Sequence, residues 1–221
     1  MANVLDEETG VVKAEGRDVN VISTQIPVKV GVGSLIFEIM LWVLGIIPGV
    51  IFLFLKIKAG THLRQIEQKL QHDASQIDNY LEQRVVILRN LAKLIEKSIK
   101  LDEETFKEIA LARSDKSLTD SERITRGSDV EKASSKLRFT LEAYPELEAH
   151  KDIQEAIQQN SYLQKEITAA REVYNDTVNE WNRIIQVWPT YMIVAARNGY
   201  TTRIPYSVSV DVKKEARDTF F

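Results

Sequence analysis

The sequence predicts an all-α chain: a single N-terminal transmembrane helix, then an elongated antiparallel helical bundle, then a short β-prone C-terminal tail. Three observations predict it. Val30 to Leu55 carries one ionisable side chain, Glu38. Two later stretches repeat their apolar residues at helical intervals. Neither Pro nor Gly occurs from Thr61 to Arg126. The expected divisions are a polar, acidic leader (1–29), the span (30–55), the bundle (56–190) and the tail (191–221).

The 26 residues of the apolar stretch, at about 1.5 Å each, would reach roughly 39 Å as a helix, enough to cross a hydrocarbon core of about 30 Å with tilt. A spanning segment must be helical, because hydrocarbon offers no partner to an open backbone group. A secretory signal would begin nearer residue 1 behind a basic flank; this stretch follows an acidic leader. If the membranous part begins at Ile39, 17 apolar residues remain and Glu38 lies at head-group level. Pro48 cannot donate to the Leu44 carbonyl, so a kink is expected at Pro48-Gly49. A hairpin turning there would leave six residues, Val50 to Leu55, for the returning arm. That arm is too short, so a single crossing is expected.

The flanks give a direction. Residues 1–29 hold three basic residues (Lys13, Arg17, Lys29) against five acidic ones. The twenty residues after Leu55 hold Lys56, Lys58, Arg64 and Lys69 against Glu67 and Asp73. Lys and Arg favour the cytoplasmic side, which predicts the N-terminus outside and the helical body in the cytoplasm of a cell-membrane protein.

In the body, Leu63, Ile66, Leu70, Ala74, Ile77, Leu81, Val85, Leu88, Ala92, Ile95 and Ile99 recur at a mean of 3.6 residues, the repeat of a straight α-helix. A helix is expected to about Lys100. Val86, Ile87, Leu91 and Leu94 widen its stripe. A second piece is expected from Glu103 to about Arg113, then a Ser/Thr/Asp-rich loop from Ser114 to Ser128. Asp129 is placed to cap a third helix, with Val130, Ala133, Leu137, Leu141 and Tyr144 inward and Pro145 as its stop. The last long helix is expected over about Asp152 to Val187, stopped by Pro189. Its inward set is Ile153, Ala156, Asn160, Leu163, Ile167, Ala170, Tyr174, Thr177, Trp181, Ile185 and Trp188. That spacing averages 3.5, close to a coiled-coil seam, on which Asn160 would set register.

Composition excludes several classes of function. There is no cysteine, which removes disulfides, thiolate catalysis and Cys-ligated metals. Residues 56–221 hold 26 basic and 26 acidic side chains, so the charge excess of a nucleic-acid groove is missing. His62, His72 and His150 are scattered, with no metal-binding spacing. The acidic run Asp102-Glu103-Glu104 reads as a solvated helix start. No Gly-rich phosphate loop occurs. No catalytic residue, cofactor, metal or small-molecule substrate is expected; the expected partners are membrane lipid and further copies of the chain.

Several ordered blocks carry a resemblance: Ile77-Asp78, Leu81, Arg84 and Asn90-Leu91; Ala112-Arg113-Ser114; Ala143-Tyr144-Pro145-Glu146-Leu147; Ala170-Arg171-Glu172-Val173-Tyr174-Asn175; and Val178, Trp181-Asn182, Ile184 and Trp188-Pro189. With these the chain resembles the LemA family of bacterial membrane proteins. The resemblance implies a short exported N-terminus, one span and a cytoplasmic helical bundle, and it implies no reaction. Asp78, Arg84, Arg171, Asn175 and Asn182 are the polar residues of those blocks. Either they form a buried network fixing the bundle register, which is the preferred reading, or they line a partner surface. The leader is longer than is common in the family, and the tail resembles those of mycoplasma-type members.

In the tail, Ile204, Tyr206, Val208, Val210 and Val212 alternate in a strand-like pattern. With Val19 to Val30 expected across the bilayer, such a strand lacks an internal partner. It would pair with neighbouring subunits or remain disordered. The functional expectation is a non-enzymatic, membrane-anchored scaffold that self-associates and organises or shapes the membrane. The alternative is an adaptor docking a membrane enzyme or sensor through the bundle.

Overall fold

A computed structural model of the chain describes residues 25–96, 120–148 and 150–206. Among them the fold is all-α, as the sequence predicts. Its helices are α1 (Val32–Val43), α2 (Ile46–Glu96), α3 (Asp120–Ala143), α4 (Pro145–Glu148), α5 (Lys151–Ile184) and α6 (Thr190–Arg197). Two compact units divide the chain, Met1–His72 with Tyr174–Pro205 and Asp73–Val173 with Tyr206–Phe221. The first part of α2 belongs to the first unit and its remainder to the second, whereas α5 does the reverse. This exchange is the pattern of antiparallel neighbours.

Both long helices follow their apolar repeats. Every described member of the α2 series from Leu63 to Ile95 is buried, as are Ile153, Leu163, Ile167, Ala170, Tyr174, Thr177 and Trp181 of α5. In the second unit α3 adds Val130, Ala133, Leu137 and Leu141. Pro145 acts where the sequence placed it: α3 ends at Ala143, and Pro145 opens the short α4. A first-turn proline loses no hydrogen bond, because its N–H would have had no helical acceptor.

Four expectations change. The stretch Asp120–Ser128 is helix rather than loop, so Asp129 lies inside α3 and caps nothing. Tyr144 and Trp188, expected inward, are 42% and 54% exposed. Both lie beyond the end of their helix, so the helical period no longer fixes their direction. The expected piece at 103–113, and Ile99, Val208, Val210 and Val212, lie outside the described residues.

The fourth change concerns the apolar stretch, which is two helices and not one. The break falls at Leu44-Gly45, upstream of the proline. Gly45 has φ +135, a conformation open to glycine and strained for other residues. Pro48 then sits in the first turn of α2, where a proline is tolerated, and it starts a helix instead of kinking one. With the turn at Gly45 the returning arm, Ile46 to Leu55, has ten residues rather than six.

The leader and the tail also meet. Pro27 and Thr201 form an antiparallel bridge. Val28 N–H donates to the Tyr200 carbonyl at 3.1 Å, and Thr202 N–H donates to the Ile26 carbonyl at 2.9 Å. The sequence placed these segments on opposite sides of a bilayer; the structure pairs them. Residues 200–202 at the start of the tail thus find their partner in the leader.

Candidate functional site

The arms of the apolar stretch pack against each other in the first unit. Trp42 lies over Gly49, where a Cβ would come within 2.6 Å of the indole. Further from the turn, the Phe37 and Phe52 rings meet edge-on at 5.6 Å. A further turn along α2, Lys56 Nζ donates to Glu38 Oε2 at 2.9 Å. Contacts between residues on either side of one turn define an antiparallel helical hairpin.

Its outer surface is uncovered. Sixteen large apolar residues between Val32 and Ile57 are 44–80% exposed. On each arm they form one broad face, including Leu35, Ile36, Ile39 and Met40 on α1 and Ile46, Ile47, Val50 and Ile51 on α2, which at about 100° per residue takes in roughly half of the helix circumference. Covering a half-exposed aliphatic side chain is worth about 1 kcal/mol, so sixteen forfeit on the order of 15 kcal/mol in water. That matches the whole net stability of a typical domain, roughly 5–15 kcal/mol. Such a surface marks a membrane or protein contact. By length and composition α2 contains a window able to cross a membrane. Any 18-residue window of α2 that contains its apolar start, Ile46 to Leu55, however, takes in Lys56 and Lys58.

At the open end of the hairpin the chemistry turns polar. Arg197 at the end of α6 donates to both Glu38 oxygens at 2.7 Å, which gives the carboxylate two cationic partners. Trp188 stands against Phe37 at 5.0 Å. His62 Nδ1 and the Tyr191 hydroxyl are in hydrogen-bond contact at 3.1 Å.

The extended segment after α6 is held from its other side by α5. Trp181, 1% exposed, donates its indole N–H to the Thr201 carbonyl at 2.9 Å. Asn182 donates to the Arg203 carbonyl at 2.9 Å and accepts from Arg203 N–H at 2.8 Å, as a neighbouring strand would. Buried Thr202 accepts from Ile26 N–H at 2.8 Å. Most backbone groups of residues 200–203 thus find partners without a sheet.

The second unit holds a polar cluster around Arg84. Its guanidinium is buried; Nε donates to Asn160 Oδ1 at 2.9 Å and Nη1 to Glu131 Oε2 at 2.8 Å. Asn160 in turn donates to Ser134 Oγ at 3.2 Å. Arg171 donates to the Tyr206 hydroxyl at 3.0 Å and stacks over the ring at 4.3 Å. A side chain at Gly127 would collide with that hydroxyl.

Of the named polar residues, Arg84 and Asn160 are joined, Arg171 pairs with Tyr206, and Asn182 clamps Arg203. Asp78 and Asn175 are also engaged. Of the tail candidates, Ile204 is partly covered and Tyr206 is buried on Arg171, and neither is in a strand. Sequence reasoning missed Glu131, Ser134, Arg197 and Thr202, whose partners lie far off in the chain. The pairing of Glu38 with Lys56 had a signal: both interrupt apolar runs. Among the described residues no group of His, Asp and Glu has the arrangement of a metal site.

The model of the LemA family matches residues 73–221. No curated protein matches the chain.

Proposed function

This chain belongs to the LemA family, and from that premise we propose that it is a non-enzymatic scaffold, held at the cell membrane by the α1–α2 hairpin. The observation that carries this reading is the hairpin's uncovered apolar surface. The basic residues after Leu55 favour a helical body on the cytoplasmic side. In this reading, copies of the chain self-associate at the bilayer and organise it, and the tail keeps its likeness to mycoplasma-type members. The family is not a known enzyme family, which agrees with a scaffold. Counting subunits per particle after extraction of the full chain into native lipid nanodiscs tests the reading. Assemblies of several copies are the expected result; uniform monomers would defeat it. A second reading, an adaptor for a membrane enzyme or sensor, draws on Phe139, which is 68% exposed on α3. Co-purification of one foreign protein at fixed stoichiometry would favour that adaptor.

A further inference from the structure

We infer that the apolar hairpin enters a single leaflet of a lipid bilayer and returns, so that the leader and the helical body lie on the same side. This deepens the membrane attachment just proposed and replaces the single crossing expected from the sequence. Four observations carry it.

The first is length. The twelve residues of α1 reach about 18 Å, and the ten from Ile46 to Leu55 about 15 Å, at 1.5 Å per residue. A leaflet contributes about 15 Å of the roughly 30 Å hydrocarbon core. Each arm fits half a bilayer and neither fits a whole one.

The second is the placement of charge. Lys29 precedes α1, Lys56 and Lys58 follow the apolar part of α2, and Arg197 ends α6. Glu38 is the one ionisable group within the arms. Helical side chains lean toward their helix's N-terminus, so the Glu38 carboxylate of α1 leans back toward the open end. There Lys56 and Arg197 meet it at 2.9 and 2.7 Å. The charged groups gather at one level, where long basic side chains reach head groups.

The third is the bridge from Pro27 to Thr201. It ties the chain just before α1 to the chain just after α6, within the same compact unit as the hairpin. A helix crossing to the far side would have to break it.

The fourth decides the occupant. Exposed apolar residues cover the outer half of each arm, which is wider than the stripe that one partner helix would cover. Lipid covers all sides at once; a second copy of the chain would cover one.

The chain has no cysteine, so single introduced thiols report cleanly. Gln25→Cys and Gly31→Cys mark the leader side, and Gln158→Cys marks the body; all three positions are exposed, and a Cβ at Gly31 meets nothing within 4 Å. The full-length variants are expressed in a bacterial host and treated with a membrane-impermeant maleimide, before and after permeabilisation. The expected result is the same ratio of intact to permeabilised labelling at both ends, with the protein in the membrane fraction. Labelling of Gln25→Cys in intact cells while Gln158→Cys stays protected overturns the inference, because it reports a crossing. Recovery of the chain in the detergent-free supernatant also overturns it, because the hairpin is then covered by protein. Matching labels combined with monomers in nanodiscs would remove the scaffold and leave the hairpin standing, so the two readings fail separately.

Discussion

Arg84 places a guanidinium where 1% of the residue reaches water, and its partners come from two helices. Removing one member of a buried, charge-assisted set leaves the others desolvated, typically a loss of about 3–5 kcal/mol. Glu131 is 35% exposed and can recover some hydration, so Arg84→Ala should lose about 3 kcal/mol, near the low end of that range. Arg84→Lys keeps a cation toward Glu131 but lacks the second nitrogen that serves Asn160, and it should recover about half of that loss. Denaturant unfolding of the full chain in mild detergent measures both. Unchanged stability with a lost assembly would instead make this cluster a partner surface. Arg84 and Asn160 were legible because each puts a polar group on an apolar helical stripe. Glu131 and Ser134 were not, because nothing in their own neighbourhood fixes which face of α3 turns toward Arg84.

At the scale of elements, the first turns of α3 show local preference yielding to packing. Ser, Thr, Asp and Gly between Ser114 and Ser128 carry the composition of a loop, yet the segment is helical from Asp120. Gly127 is the reason that can be named: its bare backbone lets Tyr206 and Arg171 lie against the helix. Gly→Ala inside a helix ordinarily gains about 1 kcal/mol. Here the added methyl must displace the Tyr206 hydroxyl, and overpacking of that kind costs about 1–3 kcal/mol. Gly127→Ala should therefore destabilise by about 1 kcal/mol net. In the presence of Tyr206→Phe the obstructing oxygen is gone; what remains close is the end of the Arg171 side chain, which can move, and the ring Cζ at 3.3 Å, which need give only slightly. The same Gly127→Ala should then become neutral or stabilising. A double-mutant cycle by thermal unfolding checks this, and two additive effects would refute it. The apolar stretch was misread for a comparable reason. Hydropathy is the same for one crossing and for two half-length arms. The signal that separates them is Gly45, which divides the run nearly evenly, and not Pro48, which attracted the kink.

For the whole molecule, the contest is between two ways of holding a bilayer. Electrostatic attachment draws about 1 kcal/mol from each basic residue near an anionic surface. Lys29, Lys56, Lys58 and Arg197 together would supply about 4 kcal/mol on that scale, and Glu38 neutralises part of it. The rest of the chain adds nothing, because without those four residues and Glu38 it carries 25 basic and 31 acidic side chains. Covering the hairpin's apolar surface is worth on the order of 15 kcal/mol. The apolar contribution wins by several-fold, which fixes how attachment responds to conditions. At 1 M salt the Debye length falls to about 3 Å and surface attraction is screened, yet the chain should stay with the membrane. Binding should also differ little between neutral and anionic vesicles, and detergent should release the protein where salt does not. Sedimentation of membranes after washes in salt, alkaline carbonate and detergent checks this order. Release by salt alone would mean that the hairpin is not in lipid, and that the attraction is carried by charges outside it.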